Sequence, residues 1–118
     1  QCRVTTSDAT QTLACAFPIT ASHAYTIFAT VTARCTGGAS CTTVQSAGYQ
    51  IVGTWKNNGG TTGLVGTLSA PYTAEDVAGW DATMVLHDGA DTVRLLVTGA
   101  ANYTVTWHAT VRVQDVGS

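Results

Sequence analysis

Charge is what this sequence has least of. Asp, Glu, Lys and Arg make up 10% of 118 residues, against roughly 25% in an ordinary soluble domain. The five basic residues, Arg3, Arg34, Lys56, Arg94 and Arg112, are scattered. They form no basic stripe in the sequence, so no nucleic acid is expected as a partner. No apolar run reaches membrane-spanning length and no basic amphipathic segment is present, which argues against membrane insertion. Chemistry-bearing patterns are equally thin. The cysteines include no Cys-x-x-Cys pair and no His pair lies near them, so a zinc site is not expected. His23, His87 and His108 stand far apart, and no serine sits in a nucleophile elbow. The loop acids lack the dense alternation of oxygen ligands that a calcium loop requires. No glycine-rich phosphate loop opens a helix, because no segment carries a sustained helical period. No catalytic residue, metal or cofactor is therefore expected.

Alternation fills the space that chemistry leaves. Tyr49, Ile51, Gly53 and Trp55 recur at every second position, as do Trp80, Ala82, Met84 and Leu86, then Val93, Leu95 and Val97, then Tyr103 through Val113. Period-two patterning of this kind marks half-buried strands. Strands are predicted near residues 2–6, 11–17, 24–35, 42–57, 62–69, 80–87, 91–98 and 102–115. Gly37-Gly38, Asn57-Asn58-Gly59-Gly60, Asp88-Gly89 and Gly99-Ala100-Ala101-Asn102 punctuate them. Pro71 opens a longer predicted loop, residues 70–79, in which Thr73-Ala74-Glu75-Asp76 has the pattern of a cap and one helical turn. The third and fourth strands are long enough to bend, with Gly48 and Gly53 as candidate bulges. The expectation is one domain, residues 1–118, folded as an all-β, antiparallel β-sandwich, jelly-roll-like, of about eight strands.

Cys2 and Cys15 lie symmetrically about Asp8-Ala9, and Cys35 and Cys41 about Gly38. If residues 2–6 and 11–17 form a hairpin, the first two face each other; the second two close a loop. Four cysteines allow three connectivities, so 2–15 with 35–41 is a preference among them. Free thiols buried as small apolar groups are the alternative. Disulfides would place the protein outside a reducing cytosol. No leader pattern is present and the chain begins at Gln1, from which a processed form or a fragment is expected.

Trp55, Trp80 and Trp107 offer flat faces for sugar stacking, but each lies on the apolar side of its strand, which favours core packing. Tyr72 falls in the predicted loop 70–79 and is the freer aromatic. With Asn57, Asn58 and Asn102, in predicted turns, it forms the candidate set for receptor or ligand contact. Phe28, Val52 and Val85 break the polar side of their strands and are candidates for a subunit contact. A one-residue bulge reversing the register explains Phe28 equally well.

One resemblance emerges from these segments. Thr5-Thr6-Ser7-Asp8-Ala9-Thr10-Gln11-Thr12-Leu13-Ala14 resembles the opening of a β-sandwich module found at the C-terminal ends of bacteriophage tail fibres and related virion proteins. So do Ala47-Gly48-Tyr49 through Trp55, Asn58-Gly59-Gly60-Thr61 and Leu64-Val65-Gly66. The strongest segment is Tyr72-Thr73-Ala74-Glu75-Asp76 with Gly79-Trp80-Asp81-Ala82-Thr83. Val93 through Ala101 and Trp107 through Val113 complete it in order. The resemblance implies a non-enzymatic β-sandwich on a virion surface, typically homotrimeric, of a kind that caps fibres, holds subunits and other virion proteins together, or touches a host receptor such as a surface glycan. The four cysteines depart from that pattern and suggest a variant reinforced for a harsh setting. The alternative is a secreted carbohydrate-binding module working as a monomer. A small disulfide-bonded hydrolase ranks far behind both.

Overall fold

Eight strands carry the alternation: β1 (Cys2–Thr6), β2 (Thr12–Pro18), β3 (His23–Gly37), β4 (Ser46–Asn58), β5 (Thr61–Glu75), β6 (Asp81–His87), β7 (Thr92–Thr98) and β8 (Thr104–Val116). The computed structural model describes residues 1–117, with the backbone alone at Asp88. Strands β1-β8-β3-β4-β5 form one sheet and β2-β7-β6 a second, and every pairing is antiparallel. The sandwich expected from the alternation is present. Strands 1 with 8 and 2 with 7 pair as in a jelly roll, while β3, β4 and β5 run as a meander.

The two layers are unequal. Strands β3 and β5 have 15 residues and β4 and β8 have 13. All three strands of the smaller sheet have 7. Between the sheets lie Ile27, Ala29, Val31 and Ala33 of β3, Val93, Leu95 and Val97 of β7, and Val105, Trp107 and Ala109 of β8, all buried. Trp55, Trp80 and Trp107 are each 1% exposed. Trp80 meets Trp107 at a ring separation of 6.0 Å and Tyr103 edge-on at 5.6 Å. The Trp107 indole N–H donates to Thr6 Oγ1 at 3.0 Å, which satisfies one of the few polar atoms in this cluster.

Several sequence expectations change. Residues 2–6 and 11–17 do not pair: β1 joins β8 and β2 joins β7. The Cys2–Cys15 disulfide therefore staples one sheet to the other rather than closing a hairpin. Cys35–Cys41 does close the loop after β3. Strand β4 begins at Ser46, not residue 42. Before it, Gln45 holds the loop instead, its carbonyl accepting from Cys35 N–H at 2.9 Å and its amide donating to the Ser40 carbonyl at 3.2 Å. Residues 70–75 belong to β5 and not to a loop with a helical turn. Strand β5 is a sheet edge, where Pro71 is tolerated because one side of the backbone needs no partner.

The bulges sit in β5 as well. Gln50 faces Tyr72, Val52 faces Ser69 and Thr54 faces Val65, so β5 spends extra residues against β4, with Gly66 at φ 72°. Gly48 pairs regularly with Ala74, whereas Gly53 lies within the second irregularity, between Val52 and Thr54, the extra residues being on β5; β3 alternates without interruption from Tyr25 to Cys35. Gly53 serves another need. A Cβ there would overlap the Trp55 indole and stand 2.9 Å from Leu68 Cδ1, so the absent side chain makes room for the ring. The Asn57–Gly60 turn forms as expected, with Asn58 facing Thr61 across Gly59 and Gly60.

Tyr49, on the inner face, donates from its hydroxyl to Glu75 Oε2 at 2.6 Å and fixes the end of the edge strand. Burial, then the hydrogen bond to Glu75, hold its phenol protonated far above the usual tyrosine range. Below pH ~10 both folded and unfolded chains keep this proton; above it the unfolded chain loses the proton first, so this contribution to stability declines as pH rises. A phenolate titration followed by ultraviolet absorbance should show Tyr49 ionising only together with loss of structure, and Tyr49→Phe should remove that late step.

Two further outcomes follow from the packing. Gly53→Ala should lower urea-measured stability by about 1–3 kcal/mol through overpacking. Replacing Cys2 and Cys15 together by Ser should remove about 3 kcal/mol and the 35–41 pair about 2 kcal/mol, because the sequence separations are 13 and 6. Equal losses from the two disulfide variants would contradict the chain-entropy account.

Candidate binding surface

The smaller sheet covers only the inner face of the larger one, so the larger sheet's outer face is left to solvent. Its positions are the even-numbered ones of β3, exposed or half-buried from Ala24 to Thr36. Strand pairing sets beside them the corresponding residues of β1, β4, β5 and β8. Across one row run Arg3, His108, Thr32, Gly48 and Ala74; across the next, Thr5, Thr106, Arg34 and Ser46. Farther along, Arg112 faces Phe28 and Phe28 faces Val52, and Lys56 faces Ala24.

Four of the chain's five basic residues therefore share one face: Arg3, Arg34, Lys56 and Arg112, all exposed. Arg94 alone lies on the other sheet. Within these five strands the acids are Glu75 and Asp115. Both stand at inner-row positions, Glu75 opposite Ala47 and Asp115 opposite Tyr25. Their carboxylates are engaged, Glu75 by Tyr49 and Asp115 by His23 Nδ1 at 2.8 Å. Asp76, just beyond β5, accepts from Ser46 N–H at 2.9 Å. Among the described residues the only ion pair is His23–Asp115, so the four cations of this face have no carboxylate partner.

The face is nearly flat, with shallow depressions. One of about 370 Å³ lies among Thr32, Arg34, Thr36, Thr106 and His108. A second, of about 330 Å³, shares Thr106 and His108 and reaches Arg3 and Thr5. A third, of about 450 Å³, lies beside Phe28 and Arg112. The Arg112 guanidinium stands 5.3 Å over the Phe28 ring, a cation–π contact.

The structure disperses the residues singled out from the sequence. Asn57 is 3% exposed, its amide donating to the Ile19 carbonyl and its oxygen accepting from Gly60 N–H, both at 2.7 Å. It builds the turn and is not available to a ligand. Asn58 ends β4, whereas Asn102 adjoins the loop after β3, at the opposite end of the sheet. Tyr72 is 53% exposed but lies on β5, facing Gln50, rather than in a loop. Phe28 and Val52 are neighbours, half-buried on the basic face. Val85 is on the other sheet, 45% exposed, with Leu13 46% exposed two strands away. Phe28, Val52 and Val85 thus form no common contact. The arginines were missed because their sequence positions are scattered; their one signal was that each occupies the polar phase of an alternating strand. Among the described residues no group of His, Cys, Asp or Glu is arranged to hold a metal ion.

Comparison with known proteins adds little. No family model matches this chain, and no curated protein does. Among solved structures, the crystal structure of the Acinetobacter phage vB_ApiP_P1 tailspike protein aligns with a TM-score of 0.46 and 15% identity. The alignment covers 97% of this chain and 22% of that one, so this chain spans about a fifth of the tailspike's length. At that score and identity the likeness bears on neither family membership nor function.

Proposed function

We propose that this chain is a non-catalytic, structural and adhesive module of a bacteriophage virion surface, a tail-fibre cap or an appendage decoration, acting as a homotrimer beside other virion proteins. The carrying observation is the sealed interior. All three tryptophans are 1% exposed, so the largest aromatic side chains of the chain are spent on rigidity and none of the three is open to a ligand. The ordered resemblance to tail-fibre end modules supports the virion setting.

Self-association fits the outer face of the smaller sheet better than the basic face. There Leu13 faces Leu96 and Val85 lies on the neighbouring row, with Arg94 as the one cation. Apposing two copies of the basic face would bring like charges together. A secreted carbohydrate-binding module remains the second reading, supported by exposed Tyr72 on the basic face.

Light scattering on the eluting protein should give three times the 12.2 kDa chain mass. Leu13→Asp with Val85→Asp should reduce it to one chain mass while the tryptophan near-ultraviolet dichroism stays unchanged. A strict monomer at micromolar concentration would reject the trimer and favour the secreted module.

A further inference from the structure

We infer that the outer face of the five-stranded sheet binds a linear anionic polysaccharide bearing carboxylates or sulfates, with the notch between Arg3 and Arg34 as its principal subsite. This rests on the adhesive reading for its setting, while its chemistry rests on the face alone.

Charge is the first argument. The protein has a formal net charge of −2, yet this face carries Arg3, Arg34, Arg112 and Lys56 without a paired carboxylate among the described residues. Such segregation makes a polyanion the complementary partner and a second copy of the same face an unfavourable one.

Spacing is the second. In β3 register the cations fall at positions 34, 32, 28 and 24. At ~3.3 Å per residue they step along the strands by roughly 7, 13 and 13 Å. They lie on four different strands, so they form a spread patch, and a polymer crossing it can carry hydroxyl-bearing stretches between its anionic contacts. Duplex DNA presents a charge every ~1.7 Å, and its affinity rests on many phosphate contacts that four cations do not supply. The face also lacks a ladder of free rings for stacking bases, since Arg112 covers Phe28.

Hydroxyl chemistry is the third. Two adjoining depressions meet at Thr106 and His108, with Arg3 on one side and Arg34 on the other. Arg3 and Arg34 lie two strands and two residues apart, about 12 Å between backbones. Their long guanidinium arms can both reach an anion held between them, and each fork suits a carboxylate or sulfate. The Thr32 hydroxyl both donates and accepts, as sugar hydroxyls require, and the Thr106 hydroxyl, already paired with Thr36 Oγ1 at 3.2 Å, has capacity for a further bond. Tyr72 lies near the same rows, its ring 3.5 Å from where a Cβ on Gly48 would stand, and offers a face to a sugar ring.

The test is biolayer interferometry of the native protein against polygalacturonate and heparin, with dextran as the neutral polymer and oligothymidylate as the phosphate polymer. Binding to polygalacturonate or heparin, absent for dextran and weakened by added salt, is the expected result. Arg3→Glu with Arg34→Glu should lower affinity about tenfold or more, and the milder Arg3→Gln with Arg34→Gln should lower it in the same direction. Ala90→Glu, in the exposed turn between β6 and β7, adds negative charge away from both faces and should leave it unchanged. No binding to either acidic polysaccharide, an equal loss with Ala90→Glu, or preference for the oligonucleotide would overturn the inference. Light scattering on the same samples separates the two claims: a trimer that ignores polyanions sinks this inference alone, and a monomer that binds them sinks the trimer alone.

Discussion

One dry interface between two sheets of unequal length governs this molecule. Apolar area is removed from water only where the sheets overlap, at roughly 25 cal/mol per Å². Strands of 7 residues cannot cover strands of 13 to 15. The chain meets the shortfall at one end with side chains rather than strands. There Ile19 and Leu68 join the core cluster that holds Tyr25, Ile27 and Trp55, and Asn57 ties the Ile19 carbonyl down. Val113, at an inner position beyond this cover, stays 49% exposed. Among the described residues no layer covers the long sheet's opposite face.

Rigidity in so small a molecule comes from a few strong points. The Trp80–Trp107–Tyr103 cluster fills one end of the interface. Cys2–Cys15 crosses between the sheets, so the short edge strand β1 cannot peel away without carrying β2. The Cys35–Cys41 link and the Gln45 side chain hold the loop after β3. Edge strand β5 is pinned at its end by Tyr49 and Glu75, while Pro71, Gly66 and the bulges blunt it against pairing with another chain.

The strands and their inward faces were legible because period-two alternation is a local property. Trp55 stands between polar Thr54 and Lys56, which fixes its phase, and all three tryptophans fall inside as their phase requires. Turn chemistry was equally local, hence the correct hairpin at Gly59-Gly60. Sheet membership was not legible. Nothing near Cys2 or Cys15 announces that their strands belong to different layers, so a hairpin looked natural. Residues 70–75 read as a loop because Pro71 is a strand breaker except at an edge, and edges are assigned only by the full pairing order. The basic face was hidden for the same reason. Arg3 and Arg34 are 31 positions apart in sequence and become near neighbours only once β8 lies between β1 and β3.

A face of like charges costs little when its charges are this far apart. Two unit charges ~10 Å apart in water repel by about 0.4 kcal/mol, and physiological salt, with a screening length of ~8 Å, reduces that further. A single exposed ion pair with a ligand is correspondingly weak, about 0–1 kcal/mol. Adhesion from such contacts must come from number. On the proposed reading a repeating polyanion would supply number along one face, and association of several copies would supply it again by effective concentration. Weak contacts on each chain, a flat rigid sheet to hold them in line, and an apolar patch on the opposite sheet would then be parts of one physical arrangement. A polymer would meet many modest sites held at fixed spacing, and no deep pocket would be needed to grip it.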